Sequence, residues 1–401
     1  MREIEGGITA VHGILAGGLA CGIKASGRKD LGAVLSEQPC SVAGVFTSNK
    51  VKAAPVLLCQ ERIRGGPVRA ILYNSGNANA CTGPVGLENA KQATRWFAER
   101  FGLAEREVLM ASTGIIGVQL PMDRLQEGIA RLTLTREGGQ DAAEAMLTTD
   151  TRPKVAALEV ELSGVRVRLG GMCKGAAMIH PNMATMLCFL ATDAAADPTF
   201  LQGALRQAVN DSFNMITVDG DQSTNDTVLL LANGAAWPAG RLPLSGAVPD
   251  AYPFIRALRH ICTTLAKAIV ADAEGGTKVF AVHVQGAATT QDARLVARSV
   301  AGSTLTKAAI HGNDPNWGRI ACAAGYSGAD LDPNRLEIWI GPYKLVENGA
   351  SLTFDAAAVS SYLNQREVEV RLHLHLGNGE ATAWGCDLSE EYVTLNSEYT
   401  T

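Results

Sequence analysis

The chain has 401 residues, 47% hydrophobic and 19% charged, with 42 glycines and 15 prolines, a composition that fits a globular protein of two or three domains, or one large one. A net charge of −5, aromatics at 5% and no long basic run argue against a nucleic-acid partner. Nine scattered cysteines without a CxxC pair give no disulfide framework or structural zinc motif, and read as reduced cytosolic thiols.

Taken in order, the apolar stretch at 13–23 (GILAGGLACGI) follows MREIEGG, which carries two glutamates where a signal peptide needs basic residues. A small-residue strand is the reading, and no run reaches the roughly 20 apolar residues of a membrane span. Helical spacing predicts helices over 87–101 and 124–132. Between 155 and 169 the segments AALEVEL and VRVRL alternate with period two around Ser163-Gly164, which predicts a hairpin. The stretch 170–187 (GGMCKGAAMIHPNMATML) has neither period, and its pattern alone predicts a buried loop packed against a helix. Helices follow over 200–209 and 253–270. Alternating runs at 279–284, 336–340 and 368–376 predict strands, with Gly275-Gly276 as a boundary before a smaller second domain. Helices and strands mix without strict alternation, so the fold class is α+β, layered sheets with flanking helices.

Several motifs carry little. No GxxxxGK[ST] and no GxGxxG between strand and helix occurs. Asp219, Asp221, Ser223 and Asn225 begin like a calcium loop, but Thr224 and Leu230 stand where glycine and glutamate are needed, so a polar turn is the reading. His373 and His375 would share one strand face without a third ligand nearby, which favours a solvated face over a metal pair. The acceptor triplets at Asn210 and Asn225 mean nothing without a secretory signal.

The string HPNMATML at 180–187 resembles the self-cleavage site of the ornithine acetyltransferase family, the ArgJ type of arginine biosynthesis. The resemblance continues through SGRKDL at 26–31, NSGNANA at 74–80, STGIIG at 112–117 and TTDT at 148–151. It runs on through NDSFNMITVDGDQSTND at 210–226, DAEGGTK at 272–278, GNDPNWGRI at 312–320 and YVTLNSEYTT at 392–401, in the family's order and over essentially the whole chain.

The resemblance implies cleavage between Ala184 and Thr185, giving an α-chain of 1–184 and a β-chain of 185–401 with a smaller C-terminal α/β domain from about 279. It implies Thr185 as nucleophile, Thr113 and Gly114 as oxyanion donors, and Thr148, Lys174, Thr185, Glu274, Asn396 and Thr401 as substrate contacts. The choice of Thr148 is made among the three threonines of TTDT. The implied fold is an α/β sandwich of the N-terminal-nucleophile kind, and the implied assembly is two α- and two β-chains in the cytoplasm. No cofactor or metal is implied, since the acetyl group travels on the protein; acetyl-CoA enters as a possible substrate. The implied reaction moves acetyl from N-acetylornithine to glutamate. Acetyl-CoA-dependent synthesis of N-acetylglutamate, a monofunctional transferase and a self-processed amidohydrolase or aminopeptidase stay open beside it. Cys173, next to Lys174, reads as a small buried thiol rather than a nucleophile.

Overall fold

Apolar alternation and one two-residue turn are enough to start the architecture. Ser163 (φ 45°) and Gly164 (φ 81°) both take positive φ, the requirement of the tight turn whose twist matches the flanking strands. They join two antiparallel strands in register from Lys154↔Cys173 to Leu162↔Val165. A computed structural model describes residues 1–179 and 186–398.

The N-terminal part holds β1 (Arg2–Ile4), β2 (Ile14–Leu19), β3 (Leu31–Phe46), α1 (Ala54–Arg62), β4 (Val68–Asn77), α2 (Gly83–Phe101), β5 (Val108–Ile115), α3 (Met122–Arg131), α4 (Gly139–Ala145), β6 (Lys154–Leu162) and β7 (Val165–Lys174). Next come β8 (Leu187–Thr192), α5 (Pro198–Asn210), β9 (Ile216–Thr217), β10 (Thr227–Ala232), α6 (Ala251–Val270) and β11 (Val279–Ala287). The rest is α7 (Thr290–Gly302), α8 (Thr304–His311), α9 (Trp317–Gly325), β12 (Glu337–Ile340), β13 (Tyr343–Glu347), β14 (Ala350–Ser351), α10 (Ala356–Leu363), β15 (Glu367–His373), β16 (Gly379–Cys386) and α11 (Glu390–Glu398).

The first sheet runs β1-β6-β7-β8-β10-β3-β4-β5, with β2 also on β3. It folds over on itself through β3. Residues 41–46 of that strand pair with β10, and residues 31–36 pair with β2. Between them Glu37, Gln38 and Pro39 are exposed and the register to β4 shifts, as expected where proline cannot donate to a ladder. The two halves pack face to face through Ile14, Val34, Tyr73, Met172, Phe189 and Leu229, with the Tyr73 and Phe189 rings 5.0 Å apart. Helices α5 and α6 cover one outer face, and α2 and α3 the other. The result is a four-layer α/β/β/α sandwich, in agreement with the fold class read from the sequence.

A second sheet runs β14-β13-β12-β15-β11-β16-β9, with α7, α9 and α10 packed on its apolar face. Its last strand, β9, comes from the segment between α5 and β10, so the two sheets share a stretch of chain.

Two sequence expectations need correction. Residues 170–174 are the end of β7, not loop. They show no alternation because both faces are buried, and the glycines are needed because a Cβ on Gly170 would lie 2.3 Å from the Gly7 carbonyl oxygen. In the segment 368–376, β15 ends at His373, and His375 takes φ 54°. The two histidines therefore do not share a strand face. Their ring centroids lie 3.8 Å apart with the planes tilted by 48°, and His375 lies 3.4 Å from Glu337.

Candidate active site

Strand ends converge at one place in the sandwich. The parallel pair β4–β5 shifts register after Gly76↔Gly114 and closes at Asn77↔Ile115, β7 ends at Lys174 opposite Leu187, and Leu187 sits opposite Thr227 at the start of β10. Ends of strands leave backbone groups unpaired by the ladder, which is where a ligand can use them.

The β4–β5 end is held by glycine and amides. Gly114 has φ 133°, and a Cβ there would stand 2.3 Å from the carbonyl carbon of Gly76 and 2.5 Å from the nitrogen of Asn77. Only glycine allows that approach. From the other side, Asn225 donates to the carbonyls of Ala78 (2.6 Å) and Ser112 (2.8 Å), and accepts from Thr224 Oγ1 at 2.5 Å. Ser112 Oγ donates to Asn74 Oδ1 at 2.6 Å. With Asn225 4% exposed and Asn74 fully buried, this web fixes the backbone on either side of Thr113.

Lys174 projects from the end of β7 into the same place and is 2% exposed. Its Nζ donates to Thr113 Oγ1 at 3.3 Å. Burial pushes its ammonium pKa down, against the opposing pull of Asp150. Asp150 is buried too, which alone would raise its carboxyl. The neighbouring Lys174 and Lys154 outweigh that and, with the Gly175 N–H, hold it at about 2. Asp150 accepts from Lys154 Nζ (2.6 Å), Gly175 N (2.7 Å) and Thr148 N (3.1 Å). Lys154 continues to Asp272 Oδ2 at 2.5 Å. Lys24 fixes the same loop by donating to the Leu147 carbonyl at 2.6 Å, and burial pushes its amine down to about 8.

The opposite wall comes from the turn after α6 and from the C-terminal helix. The backbone N–H of Glu274 donates to the Ala176 carbonyl at 3.0 Å, and the Glu274 carboxylate accepts from Asn396 Nδ2 at 3.0 Å. Asp219 accepts from the N–H groups of Met178 and Ile179. Asp226, fully buried, accepts from Met186 N at 3.0 Å. Burial raises both carboxyls, that of Asp226 strongly.

Thr113, Gly114, Thr148, Lys174, Glu274 and Asn396 thus surround one cavity of about 140 Å³, together with Asp219, Asn225 and Tyr392. Ala184, Thr185 and Thr401 lie outside the described residues; Met186, bonded to Thr185, donates its N–H to Asp226, the residue that follows the cavity-lining Asn225. A larger cavity of about 840 Å³ opens between α6 and the second sheet. It brings together none of these residues and no strand ends of the first sheet, so size does not identify the site. Cys173 is fully buried, and its thiol is pushed up to about 12 by burial, which leaves it unsuited to nucleophilic work. Among the described residues no cluster of three or more His, Cys, Asp or Glu could hold a metal, and no helix is long and apolar enough to cross a membrane.

Sequence reasoning did not single out Lys24, Asp150, Lys154, Asp272 or Asn225 as parts of the site. Asp150 and Asp272 do fall inside the TTDT and DAEGGTK strings, but Lys154, which joins them, is 118 residues from Asp272, and this leaves no local pattern.

The sequence profile of the ArgJ family matches residues 15–401. The arginine biosynthesis bifunctional protein ArgJ of Symbiobacterium thermophilum is 50% identical, with 100% of each chain covered. The protein of the same name from Dehalococcoides mccartyi is 45% identical over 99% of this chain and 98% of its own. A crystal structure of arginine biosynthesis bifunctional protein argJ from Bacillus halodurans is 44% identical over 52% of this chain and 96% of that one, with a TM-score of 0.49.

Proposed function

This chain belongs to the ArgJ family, and from that premise we propose that it is an enzyme of arginine biosynthesis that carries acetyl on Thr185 from N-acetylornithine to glutamate. The observation that carries the reading is the convergence of Thr113, Gly114, Thr148, Lys174, Glu274 and Asn396 on one cavity.

Self-cleavage comes first. The Thr185 hydroxyl attacks the Ala184 carbonyl, the peptide nitrogen leaves as an amine, and water opens the resulting ester. The products are an α-chain of 1–184 and a β-chain of 185–401, the latter carrying the smaller domain from about 279. The new α-amine, with a reference pKa of roughly 7.7–8.0, takes the proton of its own hydroxyl near neutral pH, the N-terminal-threonine form of nucleophile activation.

Transfer then proceeds in two halves. Thr185 Oγ attacks the acetyl carbonyl of N-acetylornithine, and the negative charge that develops on the carbonyl oxygen is held by Thr113 and the Gly114 N–H. Collapse expels ornithine as a protonated amine and leaves an acetyl ester. The α-amine of glutamate attacks that ester through the same oxyanion site and departs as N-acetylglutamate. Lys174 suits the carboxylate that both substrates carry, and Glu274 suits an ammonium group. Thr148, Asn396 and Thr401 complete the contacts. The acyl group travels on the protein, so no cofactor takes part, and the chains assemble as two α and two β in the cytoplasm. The named relatives are called bifunctional; by that likeness acetyl-CoA also acylates Thr185 for synthesis of N-acetylglutamate, read as turnover of acetyl-CoA and glutamate without acetylornithine.

An intact mass spectrum and a transfer assay test the reading together. Wild-type protein is expected as two masses split before Thr185, with acetyl moving from acetylornithine to glutamate. Thr185→Ala is expected as one full-length mass without transfer. Transfer by Thr185→Ala, or an uncut wild type that still transfers, would overturn the mechanism.

A further inference from the structure

Behind the cavity wall lies a closed ion group that none of the proposed chemistry uses. Lys154 Nζ sits between Asp150 Oδ1 at 2.6 Å and Asp272 Oδ2 at 2.5 Å. Their side chains are 1%, 0% and 5% exposed respectively. A buried charge that loses its partner is strongly unfavourable, so each carboxylate here is committed to a cation. Asp272 is further held by the Thr151 N–H and hydroxyl.

Asp150 decides the matter, because two buried ammonium groups compete for it. The Lys174 ammonium pulls on its carboxyl without forming an ion pair with it, and Asp150 also holds Gly175, the residue following Lys174, through a 2.7 Å hydrogen bond from the backbone. With Lys154 present, Asp150 is already paired and Lys174 Nζ turns to the cavity, 3.3 Å from Thr113 Oγ1. Without Lys154, Lys174 is the buried cation that acts most strongly on Asp150. Pairing with it would draw the ammonium off the cavity and cancel its charge toward a ligand.

We propose that Lys154 is a positioning residue for substrate: by occupying Asp150 it keeps the Lys174 ammonium free to bind the α-carboxylate of an amino-acid substrate. The proposal rests on the acetyl-transfer reading of this cavity. Lys154 touches no substrate itself, so its effect appears in affinity for both substrates, each of which carries that carboxylate, rather than in the acyl chemistry.

The test compares Lys154→Met, Lys154→Arg and the double variant Lys154→Met/Asp150→Asn in steady-state transfer, with calorimetric titration of L-glutamate alongside. Lys154→Met is expected to raise KM for both N-acetylornithine and glutamate by about tenfold or more, with kcat per folded enzyme changed less than about threefold. Arginine, which can fork between both carboxylates, is expected to restore KM. So is the added Asp150→Asn change, which removes the competitor while keeping an acceptor for Gly175. Should Lys154→Met fail to accumulate, Lys154→Met/Asp272→Asn removes one charge of each sign and carries the same expectation. A KM unchanged in the folded methionine variant, or a double variant no better than the single, overturns the proposal. A wild type that moves no acetyl group sinks the functional reading instead, while glutamate binding that still depends on Lys154 would uphold the positioning role.

Discussion

Single residues at this site are constrained by space and charge in ways that can be measured. Gly114 meets backbone, not a movable side chain, so nothing can yield to an added methyl. Its φ of 133° adds strain for any L side chain, of order 1–3 kcal/mol. Gly114→Ala is therefore expected to lower the melting temperature and, by shifting the proposed oxyanion donor, to cut transfer by about 100-fold or more. Full activity in this variant would remove the oxyanion role from Gly114. Asp150 gives a pH signature. Its carboxyl is held at about 2, below its ordinary value of about 3.9, so it contributes stability that is fully present above about pH 4 and lost as pH falls through about 2. Asp150→Asn should destabilise the protein at neutral pH and flatten the loss of stability between pH 4 and pH 2, followed by circular dichroism; an acid limb identical to that of the wild type would disprove the linkage.

At the scale of elements, α11 differs from the other α-helices in burying none of its described side chains. It is held by Ser389 Oγ donating to the Gly275 carbonyl at 2.5 Å, by Asn396 on Glu274, and by His311 facing Glu390 at 3.4 Å. A Cβ on Gly275, at φ 65°, would lie 2.4 Å from Tyr392 N in this helix. Gly275→Ala should therefore displace α11, raising KM several-fold through Asn396 and Tyr392. Stability should fall only modestly, by roughly the 1–2 kcal/mol of a left-handed alanine, read as a small drop in melting temperature. A large melting shift with KM unchanged would assign the helix a stabilising role instead. Legibility also divides at this scale. The amphipathic helices α2 and α6 and the β6–β7 hairpin were readable because one face of each meets the core and the other solvent. Strands β8 (LCFLAT) and β10 (TVLLLA) were not, since both their faces are buried and the alternation that marks a strand vanishes. The site itself was readable only through resemblance. Glycine, threonine and asparagine at strand ends have no period, and nothing in the string STGIIG at 112–117 signals that Asn225, 113 residues away from Ser112, fixes its backbone.

The sandwich as a whole determines what self-cleavage can do to the molecule. Of the strands in the first sheet, β8 and β10 follow position 184, while β1 to β7 precede it. Both sit inside the sheet, with β8 paired to β7 on one side and β10 paired to β3 on the other. Cutting the chain before Thr185 breaks one covalent bond and none of these ladders. Phe189 from β8 and Leu229 from β10 stay packed against Tyr73 and Val34 of the opposing half, while α6 stays packed on β6 and β7. Burial of this kind contributes roughly 1.5–3 kcal/mol for each large apolar side chain, and many such side chains cross the boundary. The two fragments are therefore expected to co-elute as one particle in size-exclusion chromatography, to melt in one transition, and to separate only in denaturant. Fragments that part in dilute native buffer would mean that the cut precedes completion of the β7–β8 and β3–β10 ladders, and that the chain is processed before it is fully folded.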